Sequence, residues 1–482
     1  MAFQLKSGKK KVSSKDIVIV FTDENKKDIN TAGIIVESSA LDFFTAKQGE
    51  IYHFHEKGNS SVIFCGLGDI KKINSDKIRT AASAVTEYCN SKKIKDIIVS
   101  IPEIKEMDEE TVALNIAEGL ILSNYAFNIY KSEVEQTLLE RVFVLSESKK
   151  LKASFERLSI MAENIYLCRD LVNGNADEIN PPNFAERAKR IASKKGSGLK
   201  AAVLDKKGII KNRLGLIEAV NRSSSVEPRV VILEYRGDTK KKSTIGLIGK
   251  GVTYDSGGLN LKSGTGMLTM KCDMAGAATI LATMKSIAEL KIKANVTAVI
   301  PLSENMIGAD SYKPGDVYTS HSGKTVEIGN TDAEGRLLLA DAISYMKEKY
   351  KPEIIVDTAT LTGACVATFG ETVAAFLSNS DKISEKFEKS SQATGEKVWR
   401  LPLFSDYDDR MKSEIADLSN MSSEKNAGTI TSAVFLRHFV GETDWLHLDI
   451  AGTAYYSQKR GYLPKNATGF GIRTLVNFIE NN

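Results

Sequence analysis

Short β-branched runs alternate with segments of helical spacing along nearly the whole of this 482-residue chain, and that alternation constrains the fold more than any other feature. Strands separated by helices pair through crossovers, which bury a mostly parallel sheet between helical layers. Up to about residue 150, Ile17-Val18-Ile19-Val20-Phe21, Ser61-Val62-Ile63-Phe64 and Ile97-Ile98-Val99-Ser100 read as buried strands, with a helical stretch around Ile78 to Cys89. Leu151, Phe155, Leu158, Ala162 and Ile165 then mark one apolar face of a helix, which Asn173-Gly174-Asn175 and Pro181-Pro182 break. Beyond it, Thr244 to Ile248, Val296 to Leu302, Ile354 to Val356 and Leu446 to Ile450 read as strands, and helices follow Asp273 and Glu334. The chain is too long for one ordinary core. The expected fold is α/β in two domains, 1–150 and 181–482, joined by a connecting helix and linker over 151–180. In open sheets of this kind, sites form beyond the carboxyl ends of strands, where the conspicuous polar residues fall.

Composition excludes several function classes. Sixty-five basic and 61 acidic residues nearly balance, which argues against a dedicated nucleic-acid binder. The one basic cluster, Lys6, Lys9, Lys10, Lys11 and Lys15, reads as a solvated N-terminal arm. Five widely spaced cysteines form no CxxC pair, so neither a disulfide framework nor a thiolate zinc site is suggested. The basic start lacks the apolar segment of a signal peptide, and no apolar run reaches the roughly 18 residues of a membrane span. The expected location is cytoplasmic.

The five histidines, His53, His55, His321, His438 and His447, form no HExxH pair. A G-x-S-x-G elbow and a phosphate-binding G-x-x-x-x-G-K-[ST] loop are also missing. Two segments instead concentrate carboxylates and lysines where turns belong. One runs from Lys250 through Asp255 to Lys262 and on to Asp273; the other is Asn330-Thr-Asp332-Ala-Glu334-Gly-Arg336-Leu. Each residue taken singly has an ordinary explanation. Asp273 could cap the helix after it, and Thr331 with Glu334 matches a capping box. Together, four carboxylates interleaved with two lysines and an arginine are costly unless cations compensate. Two divalent ions about 3.5–4 Å apart would do so, and oxygen-rich sites suit Zn, Mn or Mg.

The strings Lys250 to Gly258 and Asn330-Thr-Asp-Ala-Glu-Gly-Arg-Leu337 resemble the signatures of the leucyl aminopeptidase (cytosol aminopeptidase) family. The likeness continues through Asp273-Met-Ala-Gly, Glu304-Asn305, Lys313 to Val317, Asp357 to Ala364 and His447 to Gly452, and is thinner before residue 150, around Phe64 to Gly68. It implies a macro-like N-terminal domain and a catalytic domain that cleaves single residues from free peptide amino termini. By resemblance, Asp255 and Glu334 bridge two metal ions, Asp332 completes one site, and Lys250 and Asp273 complete the other. Lys250 would then bind as a neutral amine, its pKa depressed by the adjacent cations. Lys262 would stay charged and stabilise the oxyanion of the tetrahedral intermediate, and Arg336 would hold a bicarbonate ion that serves as general base. Met270, Thr360, Leu361, Gly363 and Ala451 would line an apolar pocket for the first side chain, consistent with Leu or Met. Such pockets discriminate by only about 1–3 kcal/mol, so broad specificity is expected. The resemblance further implies a homohexamer of two stacked trimers.

The chain departs from the family's usual pattern at Tyr254, at Asn260-Leu261, at Gly264-Thr265-Gly266 and in the longer turn Asn173 to Pro182. Alternative readings are a Cys-Gly or other dipeptidase on the same fold, or a secondary DNA-binding role resting on the basic cluster.

Overall fold

The computed structural model describes residues 3–25, 29–31, 34–36, 41–55, 61–134, 137–241 and 244–482. The chain divides into two compact units, Met1–Glu163 with Gln458–Lys465, and Asn164–Ser457 with Asn466–Asn482.

Among the described residues, the first unit holds a six-stranded sheet in the order Gln4–Gly8, Arg141–Leu145, Asp96–Ser100, Ile17–Thr22, Ser61–Gly66, Ile51–Phe54. Every pairing is parallel except the last. The central strands are apolar on both faces because both are covered: Ile19, Ile63 and Val99 pack in one cluster, while Val18, Val62 and Ile98 pack in another. Helices Ser75–Ser91 and Glu109–Ser123 begin where Asn74 and Asp108 accept backbone N–H groups, from Lys77 and Thr111. The basic N-terminus is not a free arm. Lys6 lies within an edge strand, Lys9 pairs with Glu147, and Lys10 pairs with Asp16 at 2.9 Å.

The second unit is built on a nine-stranded sheet among the described residues. Its centre runs Asp444–Asp449, Ile354–Ala359, Ile245–Gly249, Asn295–Asn305, all parallel. Antiparallel strands Arg229–Arg236 and Leu199–Leu204 extend one edge, and Ala374–Ser378 joins antiparallel at the other, where Val398–Arg400 pairs with it. Gly251–Asp255 also pairs with Asn295–Asn305, so that two neighbouring strand ends deliver polar residues to one place. Ile248, Val299 and Ile355 face the cluster containing Leu338 and Ile343 of helix Gly335–Tyr350. The alternate residues Leu247, Ala298 and Val356 point the other way, towards helix Ala275–Glu289.

The helix over Lys150–Asn173 ends where the sequence places its break. Pro181 and Pro182 do more than stop it. They occupy the first two positions of the next helix, Pro181–Ser193, where a missing N–H costs nothing and Asn180 caps the Asn183 amide. No helix among the described residues is long and apolar enough to cross a membrane.

Candidate active site

Lys250 is the first residue past strand Ile245–Gly249, and its side chain turns into a buried cluster of carboxylates. Its Nζ donates to Asp273 Oδ1 at 2.8 Å and to the Thr360 carbonyl at 2.9 Å, and lies 2.9 Å from Glu334 Oε1. Gly335 makes that approach possible, because a Cβ there would sit 2.5 Å from Lys250 Cε. Asp273 lies in the 3₁₀ turn Met270–Met274 and does not cap the following helix. Met274 holds the cap position, with no side-chain bond. The Asp273 carboxylate instead accepts from Thr360 Oγ1 at 2.7 Å and from Lys250.

Asp255 ends strand Gly251–Asp255, and Gly257 and Gly258 reverse the chain behind it with φ of 86° and 65°, a region that favours glycine. The turn returns Lys262 to the site, its Nζ 2.7 Å from Asp255 Oδ2 and 2.5 Å from Asp332 Oδ1. The capping box that Thr331 and Glu334 could have formed is not present: Glu334 itself holds the cap position, and its side chain makes no cap bond. Thr331 Oγ1 donates to the Gly257 carbonyl at 2.7 Å and accepts the Asn260 amide at 2.8 Å, while Asn260 Oδ1 accepts the Thr331 amide. Asn260, a departure from the family's pattern, thus ties the two acidic loops together.

Asp255, Asp273 and Glu334 each offer an oxygen within 4.8 Å of the others, and all three are buried. Burial pushes the carboxyl pKa of Asp255 and Asp332 above the ordinary range and that of Asp273 well above it, although the lysines oppose the shift. Burial also disfavours the charge on Lys250 and Lys262, but Asp273 and Glu334 around the first, and Asp255 and Glu334 around the second, outweigh it. Both ammonium groups are held above their usual pKa. In this arrangement Lys250 is therefore charged, so acting as a ligand requires a nearby cation to reverse the balance. The donor set fits divalent ions. Asp273 Oδ2, Asp332 Oδ1 and Glu334 Oε1 lie within ion-pair distance of a lysine, yet none receives a well-directed hydrogen bond, which leaves three buried acceptor oxygens unsatisfied.

Arg336, one turn into the same segment, donates from one terminal nitrogen to the Asn420 carbonyl and from the other to Ser432 Oγ, each at 2.7 Å. Its surroundings pull its pKa down to about 10, chiefly through burial.

The family described as Cytosol aminopeptidase family, catalytic domain, matches residues 166–476, and the N-terminal domain of the same family matches residues 14–134. The chain belongs to the cytosol aminopeptidase family. It is a metal-dependent aminopeptidase, a peptide hydrolase. Among its relatives, a probable cytosol aminopeptidase of Chlamydia abortus is 43% identical over 486 residues, covering 98% of this chain and 97% of that one. The Protochlamydia amoebophila counterpart is 40% identical over 444 residues, 91% and 89% of the two chains. Among solved structures, a tomato leucine aminopeptidase variant superposes with a TM-score of 0.89 at 30% identity, covering 100% of this chain and 97% of that one. The bottromycin maturation enzyme BotP in complex with Mn gives 0.86 at 31% identity, covering 97% and 99%.

Around the aminopeptidase site, Leu361 and Ala451 both donate their amides to Asp449 Oδ1 at 3.1 Å, which joins the loop after strand Ile354–Ala359 to the loop after Asp444–Asp449. Gly363 opens the short helix Gly363–Phe369, and Met270 opens the turn that carries Asp273. Thr360 spends both its hydroxyl and its carbonyl on Asp273 and Lys250, so it braces those two residues. Cys272, next to Asp273, is buried and its thiol is pushed up to about 12, which makes it inert.

Sequence reasoning missed the residues that orient the carboxylates. Asn305 Nδ2 donates to Asp255 Oδ1 at 2.8 Å and to the Thr331 carbonyl at 3.0 Å, and the buried Tyr312 hydroxyl donates to that same carbonyl at 2.7 Å. Asn305 stood in the sequence only as part of the family likeness, with no role attached, and its position just past an apolar strand, where a buried amide needs partners, was the physical signal for one.

Proposed function

We propose that this aminopeptidase releases single residues, Leu and Met among them, from peptides with a free α-amine, using two divalent ions of the Mn or Zn type. The observation that carries this reading is the buried convergence of Asp255, Asp273 and Glu334 with acceptor oxygens left over. On this reading Asp255 and Glu334 would hold both ions, Asp332 would complete one site, and Lys250 with Asp273 would complete the other. The ions, when bound, supply Lewis acidity towards the scissile carbonyl and lower the pKa of a bound water.

The remaining work falls to the chain. Lys262 reaches the cluster from a turn on the more open side and stays charged, which places a cation where the oxyanion of an acyl-transfer intermediate forms. Arg336, with Nε unpartnered, is placed to hold a small anion such as bicarbonate for the proton taken from water. Met270, Leu361, Gly363 and Ala451, with Thr360 bracing the wall behind them, form the apolar pocket for the first side chain. We carry the hexamer and the cytoplasm as parts of the same proposal; light scattering giving a monomer would remove the first.

The test is release of leucine from a Leu-peptide amide and from its N-acetylated counterpart, after chelation and again after Mn or Zn is restored. Metal-dependent cleavage of the free-amine substrate alone is the expected result. Equal cleavage of the acetylated peptide, or full activity after chelation, would overturn the reading.

A further inference from the structure

A fully buried amide, Asn420, grips the loop between Glu327 and Glu334, which Asn305 also holds through the Thr331 carbonyl. Asn420 follows the short strand Leu418–Ser419, which pairs in parallel with Thr325–Glu327. Its Oδ1 accepts the amides of Gly329 at 2.8 Å and Asn330 at 3.2 Å. Its Nδ2 donates to the carbonyls of Asn330 at 2.7 Å and Ala333 at 3.3 Å. Two N–H groups on one side and two carbonyls on the other admit a single orientation of the amide. No other side chain of this size satisfies all four neighbours, since an aspartate of the same shape only accepts.

The grip reaches the chemistry by two routes. Asn330, held at both its N–H and its carbonyl, accepts the Asp332 amide on its own Oδ1 at 2.8 Å, which fixes the direction in which Asp332 leaves the loop. The backbone carbonyl of Asn420 also accepts from Arg336 at 2.7 Å. The loop and the Asn420 segment lie too close for slack, because a Cβ on Gly329 would meet Met421 Cβ at 2.8 Å. A shift of Asn420 therefore moves Asp332 and the Arg336 guanidinium together.

We propose that Asn420 is a positioning residue that couples the Asp332 half of the site to Arg336, setting the affinity of one ion and the orientation of the guanidinium as a unit. This rests on the reading that Asp332 is a ligand for one of two ions. Orienting partners of metal ligands typically change metal affinity or activity by about 10–100-fold when removed.

The experiment titrates Mn²⁺ into chelator-stripped enzyme by calorimetry and measures steady-state hydrolysis of a Leu-peptide amide, for wild type, Asn420→Asp and Ser432→Ala. Asn420→Asp keeps the two accepted bonds and sets a carboxylate against two carbonyls. It should weaken one of the two binding events by about tenfold or more, spare the other, and lower kcat at saturating Mn²⁺ with KM changed by less than about threefold. Ser432→Ala frees the other end of Arg336 and should lower kcat with both binding events intact. A measurement that needs no variant accompanies these. In wild type, Mn²⁺ should slow hydrogen exchange in the segments 325–333 and 418–421 together.

Wild-type enzyme that takes up fewer than two ions defeats the two-ion reading, and this inference with it. Wild type that binds two ions while Asn420→Asp binds both as tightly, or loses both equally, overturns the inference alone. So does protection of segment 325–333 without segment 418–421, which decides the matter even if the variant fails to fold.

Discussion

The two lysines of the site stand in opposite surroundings. On the Lys250 side, Lys250, Asp273 and Glu334 have side chains 4%, 6% and 2% exposed, enclosed by the strand end that bears Lys250 and by the Thr360 loop. On the Lys262 side, Lys262, which follows the turn that Gly257 and Gly258 make after Asp255, is 18% exposed, and Asp332 of the second acidic loop is 33% exposed. One half is sealed and the other open. The sealed half can hold charge only while every partner is present, because an unpaired ion there has no water to fall back on. The open half can exchange a side chain for water at little cost.

The largest effect should come from the residue the sealed half shares with its neighbour. In Glu334→Gln, turnover should vanish and bound metal should fall at both positions, because a shared negative charge is gone. Lys262→Ala should leave metal content near that of wild type and lower kcat by about 10²–10³-fold, the range found when one oxyanion donor is removed. Metal analysis alongside kinetics checks both. Equal metal loss in the two variants would dissolve the distinction between a lysine held among ligands and a lysine facing substrate.

Stability should separate the halves more modestly. Asp273→Asn removes the carboxylate nearest Lys250 and leaves that buried ammonium with Glu334, the Thr360 carbonyl and the more distant charge of Asp255, costing about 3 kcal/mol in the metal-free protein. Asp332→Asn acts on a pair that water screens, and should cost less than about 1 kcal/mol. Denaturant unfolding of the stripped variants measures both. Comparable losses would mean that the open half is as enclosed in solution as the sealed one.

The sequence disclosed the two halves unequally. Lys250 and the parallel strand that delivers it were legible because an apolar run ends there and a site beyond such an end is a property of the sheet, whereas Asp255 was read in a turn and ends a strand of its own, Gly251–Asp255. Asp273 and Thr331 were harder. Each sits shortly before a helix, where local rules favour capping, yet tertiary partners took both side chains: Lys250 and Thr360 for Asp273, Gly257 and Asn260 for Thr331. Asn305 and Asn420 left no periodic trace, since a single amide in a loop looks the same whether it is solvated or holds four backbone groups. Strand Arg229–Arg236 went unplaced because its charged ends flank a short apolar run that suits a helix as well. Pro181 and Pro182 were read as a stop when they are also a start, a choice that depends on the Asn180 cap.

The smallest effect is the one that tests the contrast most directly, because it concerns protons. Before an ion can use the sealed half, Asp273 must be unprotonated and Lys250 must give up a proton. Burial raises the Asp273 pKa well above the usual carboxylate range, and the carboxylates hold the Lys250 ammonium above its own. Both shifts have the same sign for metal: the empty sealed half keeps protons to higher pH, so binding there expels them and affinity rises with pH. Near neutrality Lys250 alone accounts for about one proton per ion, a tenfold gain in affinity per pH unit. In the open half Lys262 stays protonated as a neighbour, and only the raised carboxyls of Asp332 and Asp255 oppose binding, so less than one proton should leave. On acidification the enclosed ion should therefore weaken first, although it is the harder one for water to reach. Calorimetry of Mn²⁺ binding in buffers of different ionisation enthalpy counts the protons for each event. Equal counts would show that Lys250 does not deprotonate on binding, and would remove it from the ligand set while leaving its role as a buried counter-charge.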